Sequence, residues 1–116
     1  MAESILLERV YQLTKDCIED VARFDRAHRA GLGRHLEDSV CILLEQTVAQ
    51  YGNATTEGLS VLSRNLDMLR LYIRLEKDTR QISIGRYEVV SKQLSEIGRL
   101  VGGWQKSQRS RSVASA

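Results

Sequence analysis

Apolar residues recur at spacings of three and four in four blocks of the chain, the period of one helical face. The first block, 3–22, carries Leu6, Val10, Leu13, Cys17 and Val21, with Phe24 continuing the row. The second, 34–51, carries Leu36, Val40, Leu43, Thr47 and Tyr51. In the third, 57–78, Leu59, Leu62, Leu66, Leu69 and Ile73 are flanked by Val61, Met68, Tyr72 and Leu75. That sector is too wide for one neighbouring helix to cover. The fourth, 84–107, places Tyr87, Val90, Leu94, Ile97, Val101 and Trp104 in a strict 3-4-3-4-3 repeat. No stretch of useful length alternates as a strand does.

The breaks between blocks carry matching punctuation. Gly31 and Gly33 interrupt the first connection, and Gly52-Asn53 has the composition of a helix C-cap. Thr55 and Thr56 precede the third block as N-cap residues, and Ser83 precedes the fourth. The chain contains no proline, in keeping with long uninterrupted helices. Together these features predict an all-α, antiparallel up-down four-helix bundle over 1–107. Residues 108–116, rich in Arg and Ser, read as a flexible tail.

Ser91, Ser95, Gly98 and Gly102 form a seam of small residues on the fourth block. Glycine within a helix costs about 1 kcal/mol relative to alanine, so close approach of another backbone is the expected compensation. Trp104 closes the apolar row beside this seam. Two packings stand open, within one bundle or between subunits. The wide third sector tips the balance towards an oligomer.

Composition narrows the class. Apolar residues at 42% and charged residues at 28% describe an ordinary folded domain. No apolar run approaches the roughly 18 residues of a membrane span, and the N-terminus shows no signal pattern, so a cytoplasmic protein is expected. The two cysteines, Cys17 and Cys41, read as buried reduced thiols. No nucleotide-binding, zinc-protease or serine-nucleophile motif is present. His28 and His35 lack companion ligands at metal spacing. The chain is expected to be non-enzymatic, with no catalytic residue, metal or cofactor.

Charge gives the best lead to function. The net charge of +2 conceals −3 over residues 1–22, +3 over 23–35, −3 over 36–56 and +4 over 99–116. Thirteen of the 17 basic residues are arginine, whose planar fork matches phosphate and carboxylate geometry. Arg26, Arg29 and Arg34 gather in the first connection; Lys106, Arg109 and Arg111 lie towards the C-terminus. On the third block Arg70, Arg74 and Lys77 share one helical face, and Arg80 follows. Asp67 and Asp78 stand three and four residues from Arg70 and Arg74, so this stripe is either a partner-binding face or a surface ion-pair ladder. The terminal cations are likewise phosphate contacts or solubilising charges. Repetition around an oligomer would let sparse cations neutralise several phosphates together.

The block Met68-Leu69-Arg70-Leu71-Tyr72-Ile73-Arg74-Leu75, with Leu94-Ser95-Glu96-Ile97-Gly98-Arg99-Leu100-Val101-Gly102-Gly103-Trp104, resembles the accessory variability determinant (Avd) proteins of diversity-generating retroelements. It also resembles the wider four-helix-bundle family that includes proteins encoded in ribosomal RNA intervening sequences. The likeness spans nearly the whole chain, and the Trp104 block favours the retroelement branch. It implies a homopentameric barrel that binds the element's reverse transcriptase and template RNA, with cDNA as a further ligand. It implies support of mutagenic cDNA synthesis without catalysis. By the same resemblance Arg70 and Arg74 are the contact residues. The competing readings are a bundle oligomer with only a structural or protein-interaction role, and a small metalloenzyme.

Overall fold

The computed structural model describes residues 2–115, with the side chains of 5–113. Helix α1 spans Ala2–Val21 and α2 spans Arg26–His28; a π-helical turn, Arg29–Gly33, leads into α3, Arg34–Gln50. Helix α4 spans Thr56–Asp78 and α5 spans Ile84–Ser115. No strand occurs among the described residues. The four long helices α1, α3, α4 and α5 form a ring in that order, with α5 returning to α1. Short links make each neighbour antiparallel to the last, which gives the up-down bundle the periodicity predicts.

All the predicted core rows point inwards. Leu6, Val10, Leu13, Cys17, Val21 and Phe24 are buried against Leu36, Val40 and Leu43 of α3. Leu59, Leu62, Leu66, Leu69 and Ile73 of α4 complete the core with Val90, Leu94, Ile97 and Val101 of α5. Thr47 is buried as predicted, its hydroxyl donating to the Leu43 carbonyl at 2.8 Å; Thr14 does the same to Val10. The polar atoms thereby avoid the penalty of an unmade hydrogen bond.

Three expectations are corrected. The first connection is not a glycine loop over 23–35: the chain turns within residues 22–25 and is helical from Arg26 onwards. Asp25 caps that helix, its carboxylate accepting the His28 N–H at 3.1 Å. Gly33 serves packing, since a Cβ there would stand 2.7 Å from Val21 Cγ1. Second, α5 does not stop at 107 but runs helical through 108–115, because nothing after Gly103 breaks it and Gln, Lys, Arg and Ala all favour or tolerate helix. Ala116 lies outside the described residues. Third, only Cys17 is buried; Cys41 is exposed, because it follows Val40 by one residue and so turns off the core-facing row. Both thiols are free, and burial pushes each one's pKa upwards.

The helix ends follow their chemistry. Thr55 accepts the Gly58 N–H at 2.9 Å and Ser83 accepts that of Arg86 at 3.0 Å. Gly52, at φ +78°, ends α3. Helix α4 ends in a Schellman pattern, with Gln81 N–H to the Glu76 carbonyl at 2.8 Å and Arg80 N–H to Lys77 at 3.0 Å. The left-handed position, usually glycine, is Arg80 at φ +63°.

A row of polar contacts fixes the α1–α5 register. Arg9 Nε donates to Glu96 at 2.7 Å, Gln93 Nε2 to Asp16 at 2.9 Å, and Arg86 Nε to Asp20 at 2.9 Å. As the α1 number rises the α5 number falls, as an antiparallel pair requires. The −3 of the first block is thus partly held against α5 rather than spread over solvent.

Candidate functional site

The predicted cations divide into three groups along the molecule. At one end, the Asp25 carboxylate accepts from Gln81 Nε2 at 2.9 Å and the Asp25 N–H donates to Gln81 Oε1 at 2.9 Å. This clasp joins the α1–α2 turn to the α4–α5 turn. It brings Arg26, Arg29 and Arg34 to the same end of the bundle as Lys77 and Arg80. Arg26, Arg29 and Arg34 are exposed, and none makes an ion pair among the described residues. The His28 side-chain and backbone hydrogen bonds, helped by Gln81, hold the Asp25 carboxyl down at about 2. This carboxylate is therefore a fixed anion within a basic end.

Along the middle of α4, both predicted arginines have acidic neighbours. Arg70 Nη1 donates to Asp67 at 2.8 Å, and Arg74 Nε lies 3.8 Å from Asp78. Both pairs are solvent-exposed, where such contacts are worth about 0–1 kcal/mol. A partner phosphate or carboxylate can compete for either guanidinium at small cost. Lys77 is drawn out of the stripe: its Nζ stands 4.5 Å from the centre of the Tyr87 ring and 3.6 Å from Asp78. An open groove of about 820 Å³ lies beside it, lined by Lys77, Arg80, Ile82, Ile84, Tyr87 and Glu88 among others.

The third group rides on the far part of α5. Trp104 packs edge-on to Tyr51 with ring centres 5.8 Å apart, sealing the end where α3 finishes. Beyond Trp104 the helix continues for about 16 Å at 1.5 Å per residue. Lys106 and Arg109 share a face there with Ser110 and Val113, whereas Arg111 turns away.

The small-residue seam is occupied differently from the expectation. No backbone comes near Gly98 or Gly102. A Cβ at Gly98 would meet the Arg70 guanidinium, with Nη2 2.7 Å away, and one at Gly102 would meet nothing within 4 Å. Ser95 is exposed. Within one chain the seam accommodates an arginine side chain, so the backbone-to-backbone packing read from the sequence is not found there.

Sequence reasoning missed Glu76. It is fully buried, and neither carboxylate oxygen has a hydrogen-bond partner among the described residues. Burial, reinforced by Asp20, raises its pKa to about 8. The signal was available, because position 76 extends the 59-62-66-69-73 row by one further step of three. The described residues contain no group of three or more metal-ligating side chains. His35 stacks on Tyr72 with ring centres 6.2 Å apart, and His28 Nδ1 lies 2.8 Å from Asp25. No helix among the described residues is long and apolar enough to cross a membrane.

Comparison with curated proteins finds no match. The model of the bAvd-like family matches residues 4–108, which takes in α3 and α4 whole, most of α1 and α5, the α4 arginine pair and the α5 seam. The chain belongs to the bAvd-like family.

Proposed function

We propose that this chain is a non-catalytic, cytoplasmic accessory subunit of a diversity-generating retroelement. It binds the reverse transcriptase and template RNA and supports mutagenic cDNA synthesis as a homo-oligomer, a pentamer in the family's manner. The observation that carries the reading is the family match over residues 4–108 with two weakly paired arginines, Arg70 and Arg74, on the outer side of α4. An arginine held by an exposed aspartate is presented in a defined place yet exchanges that partner readily. The cations at the two ends, Arg26, Arg29 and Arg34 at one and Lys106, Arg109 and Arg111 at the other, would supply phosphate contacts.

The test is copurification of a coexpressed reverse transcriptase and its template transcript across a salt series. Arg70→Ala with Arg74→Ala should leave the oligomer and its helicity unchanged and weaken capture, with a shallower dependence on salt. Undiminished capture by the double variant would refute the assignment of these residues. A second reading, an oligomer with only a structural role, draws on the exposed apolar positions Met68, Leu71 and Leu75 of α4. It requires neither RNA nor polymerase to be retained at modest salt.

A further inference from the structure

The two arginines of α4 were read from sequence as a matched pair, but their settings differ. Arg74 is largely in solvent, with 67% of its side chain exposed and its carboxylate partner 3.8 Å away. The Arg70 side chain is 44% exposed and fixed from two sides. Asp67, one turn back on the same helix, accepts from Nη1 at 2.8 Å. The other terminal nitrogen, Nη2, lies over α5 where Gly98 leaves space. Among the described residues and outside the helix's own nearby backbone, Arg70 is the one residue whose atoms a Cβ at position 98 would meet within 4 Å, at 2.7 Å from Nη2 and 4.0 Å from Cζ. Beside it lies a cleft of about 220 Å³ between α4 and α5, lined by Arg70, Ile73, Tyr87, Ser91, Leu94 and Ser95. Glycine in a helix interior is less favourable than alanine, so a glycine meeting only one side chain calls for an explanation in that side chain.

We propose that Gly98 is a positioning residue: it lets the Arg70 guanidinium lie on α5, so that the partner-binding surface is the α4–α5 seam with Ser91 and Ser95 rather than α4 alone. This rests on the reading of Arg70 as a contact residue. A methyl group at position 98 drives the guanidinium off the seam into solvent, where its orientation is lost although its charge remains. Orientation matters because arginine recognises carboxylate and phosphate through a planar fork. Arg74, which has no seat on α5, contributes charge without this constraint.

The experiment uses the full chain as wild type, Gly98→Ala, Arg70→Ala, the double variant and Arg74→Ala. The Nε–Hε resonance of Arg70 should move in Gly98→Ala, and the melting temperature should hold or rise by a few degrees, since alanine favours helix. Capture of the coexpressed reverse transcriptase should fall about fivefold, the scale of one exposed charged contact. In the Arg70→Ala background Gly98→Ala should cause no further loss, whereas in the Arg74→Ala background it should cause its full loss. An unmoved Arg70 resonance overturns the inference, and so does an equal loss with Arg70 already removed. Capture lost in Arg70→Ala but kept in Gly98→Ala overturns the role of Gly98 alone. Capture unchanged in Arg70→Ala overturns the reading of Arg70 itself.

Discussion

Glu76 occupies a core position on α4 with neither oxygen hydrogen-bonded, close enough to Asp20 for that carboxylate to disfavour a second negative charge. A buried carboxylate in this state keeps its proton, and its pKa stands at about 8 against an ordinary value of 4.5. The sign of the pH dependence follows. Below pH 4.5 the folded and unfolded chains both hold the proton and Glu76 imposes no ionisation penalty. As pH rises towards 8, the unfolded chain releases the proton while the folded chain retains it, so stability falls by about 1.4 kcal/mol per pH unit. Glu76→Met should remove that slope. Denaturant titrations of both proteins at several pH values between 5 and 8 should show the variant gaining steadily over wild type. A constant difference would mean that Glu76 ionises freely in the folded chain. Arg80 also departs from local preference, standing at the left-handed position where α4 ends. From sequence it was simply a cation; its backbone role depends on where the helix stops.

The elements could be read because burial follows a 3-4 repeat, and every residue of the four predicted rows is buried or half-buried. What could not be read was how glycine is used. In the first connection two glycines look like a break, but Gly31 faces open space and Gly33 is buried under Val21 and Phe24. The same residue type marks a turn when its φ is positive, as at Gly52, and a close contact when it is helical, as at Gly33. Only the packing partner tells them apart, and that partner lies across the turn on α1. Gly33→Ala should therefore destabilise the bundle. The added methyl gains helix propensity of about 1 kcal/mol but meets Val21 Cγ1 and, at 3.3 Å, the His28 carbonyl oxygen. Overpacking of this kind costs about 1–3 kcal/mol, and the backbone oxygen cannot swing aside, so a net loss of about 1 kcal/mol is expected in urea unfolding. Gly31→Ala, with open space around it, should instead be neutral or stabilising. The C-terminal boundary was misplaced for a related reason: the apolar row ends at Trp104, but a helix needs no apolar row to continue when nothing breaks it.

At the scale of the molecule, the bundle measures about 53 × 23 × 20 Å, its length set by α5. Its core is filled from within, yet Met68, Leu71 and Leu75 remain 45%, 53% and 47% exposed along the outer side of α4. Their spacing of three and four makes a second apolar row, centred nearly half a turn round the helix from the buried one. In the proposed assembly a second copy covers this row. The same geometry explains how a chain of net charge +2 could hold an anionic polymer: each copy adds its cations to one surface, and the salt dependence of binding grows with the number of phosphates neutralised. Assembly and RNA retention should therefore fail together. Leu71→Glu with Leu75→Glu places two carboxylates in the row without touching the core. Native mass measurement should then give the single 13.1 kDa chain, with helical circular dichroism unchanged. Transcript retention should fall by much more than the four added negative charges per pair of copies would cause, which a control with Glu at the exposed Ala49 and Val48 of α3 would reveal. If wild type itself gives the single-chain mass at micromolar concentration, the cations never act in concert and the case for RNA as a direct ligand collapses.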